Sequence, residues 1–400
     1  MDPRAANRAE CMKRDDLKPL RLQLGVFSLT RTLVNTGFRM VYPFLPTIAR
    51  GLGVDVRAIA LAITARSSLG IAAPYVGSLG DSIGRKRAML FGLLIFSIGF
   101  LIIIVWPTYP GLFTALILGA LGKIIFDPSM QAYLGDRTSY QQRGRVIAIT
   151  ELGWSGASLL GLPLIGWLIA RSDWATPFPL LALFTLGMAI WLFRLLPADE
   201  PLDAARPRFL EALRTIVSHR SALAALAISL LISTSNEAVN IVYGLWLETS
   251  FGLQVAALGA ASAVIGLAEL GGEGVVAALT DRLGKVRSVI SGTLAVAVAC
   301  LLLPVIGSST FGALAGLFLF YLAFEFTFVS LIPMLTELVP SARATLMASN
   351  IAASAMGRAL GAFIGPYLFD FGLFANAIFG SSIALLALVV VVLFLREDAS

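Results

Sequence analysis

The sequence Gly77-Ser78-Leu79-Gly80-Asp81-Ser82-Ile83-Gly84-Arg85-Lys86-Arg87 joins two apolar runs, Ala58–Leu79 and Ala88–Val105. Gly84 permits a tight turn between two antiparallel helices, because glycine enters positive φ without steric cost. Arg85, Lys86 and Arg87 would hold such a turn on the cytoplasmic side of a membrane. Asp81 is a lone negative charge at a helix end, where the unpaired N–H groups of another helix would attract it. The pattern returns 200 residues later: Leu79, Asp81, Gly84 and Arg87 recur as Leu279, Asp281, Gly284 and Arg287. Arg143, Ala148 and Gly161 likewise recur as Arg343, Ala348 and Gly361, so the chain reads as two related halves.

Outward from that turn, the rest of the chain repeats the alternation of long apolar run and short polar break. Twelve apolar segments are expected: 22–49, 58–79, 88–105, 112–134, 146–169, 179–195, 223–246, 258–279, 288–306, 311–335, 346–369 and 373–395. Their lengths suit a hydrocarbon core of about 30 Å. Of 400 residues, 58% are hydrophobic and 14% charged, well below the roughly one-quarter charged share of soluble domains. The organisation expected is a tail (1–21), a six-helix bundle (22–196), a central loop (197–220) and a second six-helix bundle (221–396). The second half of that loop, from Pro207 to about His219, reads as a short amphipathic helix along the membrane surface. With the amino terminus inside, 22 of the 30 basic residues fall in inside segments, three in outside loops and five within spans. The net charge of +6 therefore belongs to topology and not to a nucleic-acid surface. Cys11 and Cys300 do not form a disulfide framework, and no secretory signal precedes the first span. The expectation is a multi-pass protein of the cell (inner) membrane, with both termini cytoplasmic and the lipid bilayer as its surroundings.

The turn at 77–87 resembles the signature loop of the major facilitator superfamily, which has a glycine, a leucine, an aspartate, a second glycine and then basic residues. Together with twelve spans and a central loop, the resemblance covers the whole chain. It implies an all-α membrane protein, with twelve transmembrane helices in two pseudo-symmetric six-helix bundles and the substrate site between them. It also implies a cytoplasmic gate built on Gly77, Asp81, Gly84, Arg85 and Lys86, echoed by Asp281 and Gly284. Asp81 would meet the start of the eleventh helix near Ala344–Leu346, and Asp281 the start of the fifth near Gly144–Val146. The competing reading is that these residues only stop and orient helices. In the fifth helix, Gly161-Leu162-Pro163-Leu164-Ile165-Gly166-Trp167 resembles the glycine- and proline-rich motif of the superfamily's drug–proton antiporters. Leu162 and Trp167 stand where that motif has glycines, and close helix packing explains the small residues equally well.

Eleven ionisable residues fall within the spans: Arg31, Arg39, Arg66, Lys123, Arg358, Asp127, Glu151, Glu237, Glu269, Glu273 and Glu325. At about 2.5–3.5 kcal/mol each, facing lipid would cost on the order of 30 kcal/mol, so most must face a bundle interior or a wet cavity. Spacing supports this. Arg31, Asn35, Arg39 and Tyr42 lie within about 80° of one helix face. Glu237 shares a face with Asn240, Glu269 with Glu273, and Arg358 with Asn350 and Ser354. The buried charges are not repeated between the halves, so they are the better candidates for a substrate and proton pathway. The competing readings are that Arg31 snorkels to the cytoplasmic surface, that Lys123–Asp127 is a structural pair, and that Glu151 serves the loops. Glu269 and Glu273, one turn apart, should not both ionise, which makes them, or Glu237 or Glu325, the expected protonation site. The aromatic residues around Glu325 would suit amphipathic cargo.

The function expected is secondary active transport by alternating access, as proton-coupled efflux of an amphipathic or drug-like solute. The alternatives are uptake or flipping of a charged metabolite or lipid, and a non-transporting membrane receptor. No enzyme motif, metal-ligand cluster or cofactor site is present in the sequence. The partners expected are a small-molecule substrate and protons, with no nucleic acid, and the chain is expected to act as a monomer.

Overall fold

The computed structural model describes residues 3–76, 83–138, 140–198 and 209–395, and among these it contains helices and no strands. Gly77 and Asp81, and the side chain of Asp281, lie outside the described residues. Twelve spans cross back and forth. The first is Pro3–Arg39 continued by Leu45–Leu52, and the second is Val56–Ser68 continued by a tighter turn and Ala73–Val76. Arg85–Val105, Tyr109–Arg137, Tyr140–Arg171 and Pro177–Leu195 complete the first half. After the short helix Phe209–Ser218, the second half runs through Arg220–Phe251, Val255–Leu283, Lys285–Ile306, Thr310–Leu338, Arg343–Phe369 and Leu373–Phe394. Nine of these have the length and apolarity to cross a membrane. The first, second and eleventh fall short because breaks or polar stripes interrupt them.

Several differences from the sequence reading have local causes. The helix reaches back to Pro3 because Arg4-Ala5-Ala6 and Glu10 onward are rich in strong helix formers. The first span unwinds over Met40–Phe44, where Pro43 cannot donate to the helical ladder, so Tyr42 leaves the expected stripe. The seventh span breaks at the matching place, Ile241–Val242. In the fifth span a π-turn at Ala157–Gly161 precedes Pro163, whose missing N–H leaves the Leu159 carbonyl without its usual donor.

Close approaches show why the halves resemble each other. Gly84 and Gly284 both start their helices at positive φ, +97° and +87°. Gly161 and Gly361 sit where the fifth helix of each half crosses its first: a Cβ on Gly161 would lie 2.0 Å from Thr36 Oγ1, and one on Gly361 2.7 Å from the Thr234 carbonyl. Arg85–Asp136 in the first half, at 3.5 Å, is matched by Lys285–Glu337 in the second.

Two seams join the halves. The second span packs on the eleventh, where a Cβ on Gly70 would meet that of Ala355 at 2.3 Å. The fifth packs on the eighth through Gly166 and Gly259, whose backbones nearly touch. On the face opposite the amino terminus, Gly244 lies beneath the Pro43 carbonyl, Arg50 pairs with Glu248 at 2.5 Å, and Arg57 pairs with Asp370. All three cross between the halves. On the amino-terminal face, the ion pairs among the described residues stay within one half. The far face is thus fastened by contacts that cross between the halves.

Candidate functional site

The expected pathway residues all lie near the middle of their spans and face inward, in three linked groups. In the first, Arg31 meets Glu151 at 2.7 Å and Asp127 at 3.5 Å. Lys123 Nζ donates to Asp127 and to the Asn35 carbonyl oxygen, both at 2.5 Å, and Asn35 Nδ2 donates to the Gly153 backbone at 3.2 Å. Gln131 donates to Glu151 at 3.2 Å. Two of the competing readings fail here. Arg31 does not snorkel: its side chain is 6% exposed and ion-paired. Glu151 does not belong to the loops, because helix packing brings it beside Arg31. Lys123–Asp127 is an ion pair embedded in a network that spans the first, fourth and fifth helices.

The second group crosses between the halves. Arg39 grips Glu269 through two hydrogen bonds of 3.0 and 2.8 Å, and Trp154 Nε1 donates to the same carboxylate at 3.1 Å. The guanidinium stacks over the Trp154 ring at 4.4 Å. Arg39 and Glu269 are 7% and 3% exposed, so this fork is almost dry. A bidentate arginine–carboxylate pair fixes both distance and orientation. It pins the first and fifth helices to the eighth. Glu273, one turn along, is half-buried and stands outside the fork. Glu325 is buried close by, beside Gly272 and in the field of Glu269, Glu273 and Arg39.

The third group lies at the second, seventh, tenth and eleventh helices. Arg66 donates to the Phe38 carbonyl at 2.7 Å and the Tyr42 hydroxyl at 3.1 Å, and stacks on Phe38 at 3.9 Å. Glu237 accepts from Asn240 at 3.0 Å, and Asn240 accepts from the Tyr321 hydroxyl at 2.5 Å. Tyr42 and Arg358 neighbour Glu237. Asn350, one of the expected eleventh-helix stripe, accepts from Ser229. His219 caps the seventh helix, accepting from the Ala222 N–H at 3.3 Å.

Sequence reasoning missed Trp154 and Tyr42's contact with Arg66. Trp154 follows Glu151 by three residues and so shares its helix face. That spacing was a usable signal. Of the tenth-helix aromatics, Phe320 and Tyr321 are buried, whereas Phe311 is 84% exposed. Around the proposed gate, Lys86 Nζ donates to the Leu196 carbonyl at 2.6 Å and Arg85 lies 3.5 Å from Asp136.

What the arrangement can do is hold two halves together through buried charge in the middle of an apolar bundle. Comparison with known proteins gives that arrangement a context. The family model described as Major Facilitator Superfamily matches residues 27–235 and 225–400. An uncharacterized MFS-type transporter of Bacillus subtilis (strain 168), YceJ, is 25% identical over 351 residues, covering 87% of this chain and 89% of the relative. The tetracycline resistance protein, class C, of Escherichia coli is 28% identical over 297 residues, 68% of this chain and 71% of that protein. Among solved structures, a POT family transporter in complex with a thioalcohol-conjugated peptide aligns with a TM-score of 0.78 at 14% identity, covering 93% of this chain and 96% of that one. At that identity, the likeness speaks for the fold alone.

Proposed function

Because the chain belongs to the Major Facilitator Superfamily, a family of membrane transporters, we propose that it exports a small amphipathic solute in exchange for protons, by alternating access. The observation that carries this reading is the fork of Arg39, Glu269 and Trp154 between the halves. For the amino-terminal side of the seam to part from the carboxy-terminal side, Arg39 must let go of Glu269. Breaking a buried pair and stranding its charges costs about 3–5 kcal/mol. A proton on Glu269 removes one of those charges, so proton arrival and rearrangement of the halves become one event. Glu273 and Glu325 stand where they could pass that proton. Proton arrival and the movement that carries cargo are then coupled through one pair, which is the logic of exchange.

The remaining assignments follow from the same reading. The basic amino-terminal face is cytoplasmic, so both termini lie inside the cell membrane. Residues 22–196 and 221–396 are the two moving units, joined by the loop 197–220, and one chain suffices. Gly77, Asp81, Gly84, Arg85 and Lys86, with Asp281 and Gly284, form the cytoplasmic gate. Export is one way to confer the resistance for which the tetracycline relative is named. The test is transport in proteoliposomes with and without a pH gradient, using tetracycline and 1-naphthoate as probes. Gradient-driven flux that is lost in Glu269→Gln is expected. Flux that survives in both Glu269→Gln and Glu273→Gln sinks the assignment.

A further inference from the structure

Three of the five mid-membrane cations have an anionic partner, and two do not. Arg31 has Glu151 and Asp127, Lys123 has Asp127, and Arg39 has Glu269. Arg66 is 2% exposed, and its contacts are all neutral: a carbonyl, a hydroxyl and the Phe38 ring. Its buried Nε has no hydrogen-bond partner. Arg358 makes no ion pair or hydrogen bond among the described residues.

These two guanidiniums are neighbours by construction. The second and eleventh helices run antiparallel and touch where a Cβ on Gly70 would lie 2.3 Å from that of Ala355. Arg66 lies one turn from Gly70 toward the far face, and Arg358 lies about one turn from Ala355 in the same direction. Both cations therefore stand at one level on facing helices, close enough to repel each other. The one nearby carboxylate, Glu237, lies beyond 4.0 Å of either and spends one oxygen on Asn240. The same carboxylate also neighbours the Tyr42 hydroxyl.

We propose that Arg66 and Arg358 form an anion-binding subsite that takes the carboxylate, sulfonate or phosphate group of an amphipathic ligand. An anion between the two supplies the missing negative charge and accepts from the orphaned Arg66 Nε. Guanidinium groups suit this task because their planar donors match the paired oxygens of such groups. Phe38, stacked on Arg66, and Tyr42 offer an apolar wall for the rest of the molecule. The subsite deepens the transport reading, resting on it only in treating the mid-membrane space as the cargo's. It narrows the cargo to organic anions. The same chemistry is carried by soluble acids and by anionic lipid headgroups, and the test separates them.

The experiment measures equilibrium binding to the full chain, purified in uncharged detergent without any gradient, so a failure of proton coupling leaves it unaffected. The probes are 1-naphthoate, its neutral isostere 1-naphthamide, and 1-naphthylmethylammonium. Preference for naphthoate is expected, with affinity lower by at least about tenfold in Arg66→Gln and in Arg358→Gln, partial recovery in Arg66→Lys, and unchanged naphthamide binding. In nanodiscs, competition by phosphatidylglycerol but not phosphatidylcholine, lost in the same variants, assigns the anion to lipid and still supports the subsite. Equal binding of naphthoate and naphthamide, preference for the cation, or wild-type naphthoate affinity in the folded variants overturns it. Should Arg66→Gln fail to fold, Arg358→Gln, at a less buried position, decides the matter.

Discussion

Replacing Arg39 by alanine should destabilise the protein more than any other single change in the charge network. Glu269 is 3% exposed and holds Arg39 through both oxygens, so the substitution leaves a dry carboxylate with only the Trp154 N–H. Stranding one member of a buried pair costs about 3–5 kcal/mol. Replacing both members by methionine removes the desolvation problem and should return stability to within about 1 kcal/mol of the parent. The implied coupling is therefore at least about 2 kcal/mol, far above the scatter of independent sites. Cys300 is buried and provides the assay. In a Cys11→Ser background, a thiol-reactive fluorogenic dye reports unfolding as Cys300 becomes accessible. At roughly 2 °C per kcal/mol, Arg39→Ala should lower the midpoint by about 6–10 °C, and the double variant should recover most of it. If Arg39→Ala lies within about 1 kcal/mol of the parent, or if the double methionine variant is no more stable than Arg39→Ala, the fork does not hold the halves together.

Gly259→Val should force the fifth and eighth helices apart, because its Cβ would lie 2.7 Å from the Leu162 carbonyl and 3.0 Å from the Gly166 Cα. A loss of about 1–3 kcal/mol is expected by thermal unfolding, whereas Gly274→Val, with open space around it, should serve as a control with little change. The far-face pairs are partly exposed, Arg50 at 60% and Arg57 at 44%, so each contributes only about 0–1 kcal/mol. Removing both arginines should raise maleimide labelling of Thr47→Cys by about two- to tenfold, and an unchanged rate would show that the pairs fasten nothing. Pro163→Ala restores a donor for the Leu159 carbonyl and should straighten the π-turn at Ala157–Gly161. Stability should hold within about 1 kcal/mol while transport slows, and transport at the parent rate would assign the π-turn a purely structural part.

The spans were legible because burial in lipid demands long apolar runs, and their ends moved by about six residues or fewer, apart from the start of the first, which reaches back to Pro3. The breaks at Met40–Phe44 and Ile241–Val242 were not, since the apolar run continues through both while the backbone turns. The repeat of Gly84 as Gly284 was legible for a physical reason: both positions need a φ that only glycine adopts easily. Inward-facing charge could be inferred from cost alone, but partners could not. Arg39 and Glu269 are 230 residues apart, and no local spacing announces that they meet. Glu269 and Glu273 looked like a matched acidic pair on one helix face, yet among the described residues only Glu269 pairs with an arginine. Arg31 looked able to snorkel until the fifth helix, packed through Gly153, brought Glu151 against it.

Alternating access is tested most directly by two distances measured on the same protein. Spin labels at Ser172→Cys and Gln254→Cys report the far face, and labels at Arg87→Cys and Arg287→Cys report the amino-terminal face, each pair in a Cys11→Ser, Cys300→Ser background. On lowering the pH, the far-face distance should lengthen while the other shortens, and Glu269→Gln should hold the first of these states at neutral pH. Distances that stay fixed, or that change together in the same direction, would contradict a rocking of two halves about a charged centre.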